Sequence, residues 1–256
     1  MSKISFAKFQ AAGNDFILID NRDGRFPVGD PLLVQKMCHR QFGIGADGLI
    51  LLGMDPQDAR SDFQMRIFNN DGREASSCGN GLRCLVRFLR DLGVVQKKYK
   101  IRTQEKVVMA FLSKGHPVID LGPPDQIRCE LETEAGIVHG IDTGVPHIVQ
   151  FVSDVDLIDV DVAGAFLRQQ LSANVNFATL QPDQSIRVRT FERGVEGETL
   201  SCGTGAAAAA TLAVRQYGFR WPIPVFCRGG RLEVWEEDGR IFLSGPAEKV
   251  FTGVYP

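Results

Sequence analysis

The chain has 256 residues, room for two domains of the usual ~100–200 residues each, and 44% of them are hydrophobic, as in a globular protein. Its 29 basic and 31 acidic side chains leave a net charge of −2, with no basic excess to hold nucleic acid or a membrane surface. No apolar run approaches the ~20 residues of a membrane span, and the segment Met1 to Phe9 carries no secretory signal, so a cytoplasmic protein with neither partner is expected.

In chain order, Ile4 to Phe9 and Phe16 to Asp20 read as strands about a Gly13-Asn14-Asp15 turn. Asp30-Pro31 opens a helix, with an acid at the cap and proline at the first helical position; it is expected to run to about Gln41 and stop at Gly43. The run Gly43 to Gly48 fits G-x-G-x-x-G. A dinucleotide fingerprint needs a strand before it and a helix after it, and here that order is reversed, so a turn is expected. Leu49 to Leu52 and Phe63 to Phe68 are strands, Asn69 to Gly72 a turn, and Gly79 to Leu92 a helix. Strands follow near Tyr99–Thr103, Val107–Ser113 and Pro117–Leu121. The later half has strands near Ala135–Ile141, His147–Val152, Val175–Leu180 and Ile186–Phe191. It has helices near Val162–Gln170 and Thr204–Tyr217, and a closing hairpin of Arg231–Trp235 and Arg240–Leu243.

One motif is written twice. Glu74 to Gly81 and Glu198 to Gly205 both read E-x-x-S-C-G-x-G, each follows an R-x-F, and each leads into a helix that ends at glycine. Cys78 and Cys202 are 124 residues apart. Gly122-Pro123 and Gly245-Pro246 recur at nearly the same separation, and Gly13 to Leu18 pairs more weakly with Gly144 to Val149. The period is too long for a solenoid, so two homologous domains are expected: residues 1–117 with 247–256, and residues 118–246. Both motif helices are apolar nearly all round, as buried helices are. The expected fold is α/β (α+β), with two pseudo-symmetric domains, each a curled mixed sheet wrapped around a central helix.

A cysteine at the head of a helix feels the positive end of the macrodipole, which favours its thiolate. It is then a usable base near neutral pH, and its thiol a usable acid. The glycines after it let backbone N–H groups approach a carboxylate, and those donors stabilise charge that develops there as an α-carbon loses its proton. Two such cysteines, one per half, suit inversion of a stereocentre. The six cysteines form no C-x-x-C and the four histidines no H-x-x-x-H, so no metal site is expected. Cys38, Cys84, Cys129 and Cys227 read as small buried hydrophobes.

Glu74-x-x-x-Cys78-Gly79-Asn80-Gly81-x-Arg83-Cys84 and Cys202-Gly203-Thr204-Gly205 resemble the diaminopimelate epimerase family. Gly13 to Phe16, Asp71-Gly72, Pro146-His147 and Glu192-Arg193-Gly194 match the same family over the whole chain. The resemblance implies a cleft between two domains, a homodimer, and exchange of LL- and meso-2,6-diaminopimelate without pyridoxal phosphate or other cofactor, for lysine and peptidoglycan precursors. It implies Cys78 and Cys202 as the acid/base pair, assisted by His147 and Glu192. Asn14, Asn69, Asn174, Glu192 and Arg193 would hold the amino-acid substrate, with the backbone of Gly79-Asn80 and Gly203-Thr204 on its reacting carboxylate. Arg193 suits the distal carboxylate, which arginine binds bidentately. Val145 and Gly48 depart from the pattern, standing where many members carry Asn and some carry Gln; each loses a polar side chain. Alternatives are a racemase of the same superfold acting on proline, hydroxyproline or glutamate, a thiol redox protein, or a non-catalytic amino-acid binder.

Overall fold

The computed structural model describes residues 3–55 and 60–256. The chain divides into two compact units, one running to Ile119 and taking back Pro246–Pro256, the other spanning Asp120–Gly245.

The first unit holds β1 (Ile4–Ala11), β2 (Asn14–Asp20), α1 (Pro31–Cys38), β3 (Gly48–Gly53), β4 (Phe63–Asn69), β5 (Glu74–Ala75), α2 (Gly79–Asp91), β6 (Tyr99–Arg102), β7 (Val107–Ser113) and the start of β8 (His116–Gly122). The second holds β9 (Asp125–Thr133), β10 (Gly136–Asp142), β11 (Pro146–Phe151), α3 (Val160–Leu171), β12 (Asn174–Leu180), β13 (Ile186–Glu192), β14 (Gly197–Thr199), α4 (Gly203–Tyr217), β15 (Ile223–Cys227), β16 (Gly230–Glu237) and β17 (Arg240–Ser244). The last strand, β18 (Glu248–Tyr255), belongs to the first unit.

Strand order in the first unit is β18-β1-β2-β3-β4-β6-β7-β8, parallel at β2–β3 and β4–β6 and antiparallel elsewhere. The second unit reads β9-β10-β11-β12-β13-β15-β16-β17, parallel at β11–β12 and β13–β15. The two plans correspond strand for strand. In each, a mixed sheet curls around one helix: α2 packs on β1 to β4, β7 and β18, and α4 on β10 to β13 and β15 to β17. The side chains of Leu82, Leu85, Val86 and Leu89 fill the first centre, and Ala206 to Ala210, all fully buried, fill the second. A second helix covers the outer face of each sheet, where Val34 and Met37 of α1 meet Leu49 and Leu51, and Leu167 of α3 meets Val175 and Phe177. Strands buried on both faces are apolar without alternation, which is why Leu49 to Leu52 is a continuous run. Full burial of each such Leu or Phe contributes about 1.5–3 kcal/mol. Among the described residues, no helix is long and apolar enough to cross a membrane.

Four details differ from the sequence reading. Helix α1 ends at Cys38, not Gln41, because His39 leaves the helical region and the amides of Gly43 and Ile44 turn back onto the carbonyls of His39 and Met37. Strand β9 was unforeseen; it is an edge strand exposed along most of its length, so Asp125 to Thr133 shows no apolar alternation. Strand β15 was hidden by Pro222 and Pro224. Strands β5 and β14 are too short to leave a period.

Candidate active site

In the first unit, Cys78 caps α2 from extended backbone, and its Sγ accepts the Gly81 N–H at 3.4 Å. An amide pair lies beside it. Asn14 Oδ1 lies 3.9 Å from Cys78 Sγ and accepts Asn80 Nδ2 at 3.2 Å. Both amides are held in one orientation by charge. Asn14 Nδ2 donates to Asp47 Oδ2 at 2.6 Å, and the buried Arg83 donates to Asn80 Oδ1 at 2.8 Å. Asp47 is in turn bound by Arg40 at 2.6 Å, and Arg40 also grips Asp15 at 2.9 Å. Burial opposes ionisation of Asp15, but hydrogen bonds and charge from Arg40 and Lys8 overcome it and hold its carboxyl at about 2. Asp47 sits in the dismissed glycine run, which is a turn as expected; its task of orienting Asn14 was not foreseen.

Asn69 ends β4, exposed, opposite Gly48 in the sheet register. A Cβ at Gly48 would lie 2.6 Å from the Phe68 carbonyl oxygen, so this backbone has no place for a side chain there.

In the second unit, Cys202 caps α4, but its sulfur makes no bond to the helix backbone; it lies 3.5 Å from Thr204 Oγ1. Glu192 ends β13. Burial raises its carboxyl above the ordinary range, against hydrogen bonds from Thr199 and from Cys202. The Thr199 hydroxyl donates to Glu192 Oε1 at 2.6 Å. Asn174 donates to Pro146 O at 3.3 Å and accepts the Arg193 N–H at 2.9 Å, which stitches β11 to the Glu192-Arg193 turn. It retains a second N–H and a second lone pair for a ligand. The Arg193 side chain is exposed and donates to Ser172 O at 3.3 Å. The Thr143 hydroxyl ties the first turn of α4 to the β10–β11 connection through Thr204 O at 2.9 Å. His147 is buried, and desolvation, with the Arg193 charge second, pushes its imidazole down to about 3. Val145, at the position equivalent to Asn14, offers no amide.

The shared arginine and glutamate of the repeat also find their purpose. Arg66 and Glu74 form a two-pronged pair, each contact 2.7 Å, and Arg189 and Glu198 repeat it at 2.7 Å. Each pair ties β4 to β5, or β13 to β14, a few residues before the cysteine. It anchors the strand that delivers Cys78 or Cys202 to its helix. Elsewhere, burial pushes the Cys38 thiol up to about 12 and the Cys84 thiol higher still, so neither is a base near neutral pH. Among the described residues, no group of three His, Cys, Asp or Glu is placed to hold a metal ion.

Comparison with known proteins adds to this geometry. The family described as diaminopimelate epimerase matches residues 6–127 and 140–250. The chain is 38% identical to the diaminopimelate epimerase of Rippkaea orientalis over 280 residues, covering 98% of this chain and 99% of that one. It is 40% identical to that of Flavobacterium psychrophilum over 259 residues, covering 95% and 97%. Among solved structures, a PhzF-family phenazine biosynthesis protein from Bacillus anthracis superposes with a TM-score of 0.78 at 15% identity, with full coverage of both chains. A hydroxyproline epimerase from Agrobacterium vitis superposes with a TM-score of 0.71 at 17% identity, covering 100% of this chain and 91% of that one. At such identity these two share the fold alone.

Proposed function

Because this chain belongs to the diaminopimelate epimerase family, we propose that it interconverts LL- and meso-2,6-diaminopimelate, with Cys78 and Cys202 as its acid/base pair. The observation that carries this reading is the duplicated cap: each unit sets one cysteine at the first turn of its buried helix. Inversion of an α-carbon needs a base on one face and an acid on the other. One cysteine, as thiolate, takes the α-proton, and the other, as thiol, returns one to the opposite face. The pair ends with its protonation exchanged, ready for the reverse reaction, and no net proton is consumed.

Loss of the α-proton leaves charge on the adjoining carboxylate. The N–H groups of a helix's first turn have no carbonyl partner within the helix. Those of Gly79-Asn80 and Gly203-Thr204 supply donors for that charge, so the substrate's own carboxylate takes up the electron pair left by the departing proton. Glu192, with its raised carboxyl, holds the Cys202 proton when that sulfur is the base. Asn14, Asn69 and Asn174 orient the ammonium and carboxylate groups, and the exposed fork of Arg193 takes the distal carboxylate. His147 assists a sulfur. The same reading includes a homodimer in the cytoplasm.

Incubation with LL-diaminopimelate, proline and glutamate, followed by chiral chromatography, tests the substrate. Conversion of diaminopimelate alone is expected. Racemisation of proline or glutamate with diaminopimelate untouched would replace this reading with another racemase of the superfold.

A further inference from the structure

The two units differ at a buried place in their sheets. In the first, Phe16 of β2 stands opposite Gly48 of β3, and two residues on, Ile50 stands opposite Ile67 of β4. In the second, His147 of β11 stands opposite Asn174 of β12, and two residues on, Asn176 stands opposite Thr190 of β13. The trio Phe16, Ile50 and Ile67 has thus become His147, Asn176 and Thr190. All six are buried. Burying polar groups costs free energy unless every group is paired, so a polar trio in place of an apolar one calls for a purpose.

The hydrogen bonds supply it. Asn176 Nδ2 lies 2.9 Å from Ile148 O, an atom that only accepts, which fixes the NH₂ end of the amide on that side. The Thr190 hydroxyl donates to Asn176 Oδ1 at 2.9 Å, which agrees. The second Asn176 N–H then meets His147 Nδ1 at 3.0 Å, where only a lone pair can receive it. The ring proton must sit on Nε2, and that atom, fully buried, has no hydrogen-bond partner among the described residues. We propose that Thr190 and Asn176 are positioning residues that lock His147 as an Nε2–H donor, so that in the reaction it offers a hydrogen bond and does not take a proton. The low pKa of the ring agrees, since it keeps the imidazole neutral. An N–H donor stabilises a thiolate, whereas a ring whose one lone pair is already occupied is a poor base. The consequence for catalysis rests on the reading of His147 as a site residue; the tautomer does not.

Long-range ¹H–¹⁵N spectra of the four histidines, with His147 assigned by its loss in His147→Gln, test the lock. Wild type should show His147 protonated at Nε2 and bare at Nδ1. In Asn176→Asp the carboxylate accepts from the ring, so the proton should move to Nδ1. A wrong tautomer costs up to about 10⁴-fold in other histidine enzymes, and kcat should fall by about 10²–10⁴-fold with little change in KM. The double change Asn176→Ile with Thr190→Ile copies the first unit. It should fold, show mixed tautomers and lose kcat similarly. A wild-type ring protonated at Nδ1 overturns the proposal. So does an Asn176→Asp enzyme with the switched tautomer and undiminished kcat while His147→Gln is inactive. If His147→Gln itself turns over normally, the site assignment of His147 has failed instead, and the tautomer result stands apart from it.

Discussion

The third residue of each motif helix is a glycine, and alanine at the two positions should behave very differently. At Gly81 an added Cβ would lie 2.9 Å from Ile50 Cδ1 and 3.3 Å from Ile67 Cδ1, both free ends of side chains. A small rotamer shift there costs about 0.5–1.5 kcal/mol, and alanine returns about 0.5–1 kcal/mol of helix preference, so the net effect is near zero. At Gly205 the same Cβ would lie 2.1 Å from Asn176 Oδ1 and 3.1 Å from its Cγ. Asn176 must move, and it holds Thr190, Ile148 and His147. Each buried group left unpaired costs about 1–3 kcal/mol, so a loss of about 2 kcal/mol or more remains after the helix gain. Urea midpoints and kcat for Gly81→Ala and Gly205→Ala give the comparison. Gly205→Ala should unfold at clearly lower urea and lose activity as His147 is released. Equal midpoints for the two variants would refute the packing argument.

Asp15 has a depressed pKa, so its share of stability is full above the ordinary 3.8 and is lost as pH falls through about 2. Asp15→Asn should therefore remove about 2 kcal/mol near neutral pH and flatten acid unfolding across that window in a pH-dependent urea series. Glu198→Gln should cost about 1.5–3 kcal/mol, because its carboxylate is largely buried and serves both Arg189 and Arg228, whereas Glu74→Gln should cost about 1 kcal/mol or less; parallel melts decide this. Asp47→Ala frees the Asn14 amide to rotate, and steady-state kinetics should show kcat/KM falling about tenfold or more while the melting temperature drops little.

The placement of the two cysteines was legible because their motif repeats. A cysteine followed by glycines at a helix start reads as the residue at the cap position, and Cys78 and Cys202 both stand there, although only Cys78 accepts a helix N–H. The central helices were legible because a helix apolar nearly all round is buried; α2 keeps only Arg87, Arg90 and Asp91 exposed along its later turns. Asn176 and Thr190 were missed, since within Asn174 to Leu180 a lone asparagine among apolar residues reads as an ordinary strand position. The signal was available in the repeat itself: aligned halves set Asn176 against Ile50 and Thr190 against Ile67. Arg83 and Asp47 were likewise unassigned, because their work is to orient Asn80 and Asn14, and orientation depends on contacts brought together by folding. Strand β9 could not be read at all, because an edge strand exposed along most of its length is under no pressure to alternate.

The most direct test of the two-cysteine account is proton NMR of LL-diaminopimelate in D₂O with wild type, Cys78→Ala and Cys202→Ala. Wild type should form meso-diaminopimelate carrying deuterium at the inverted α-carbon, and neither variant should form it. Meso product without solvent deuterium, or near wild-type turnover by either variant, would contradict the account.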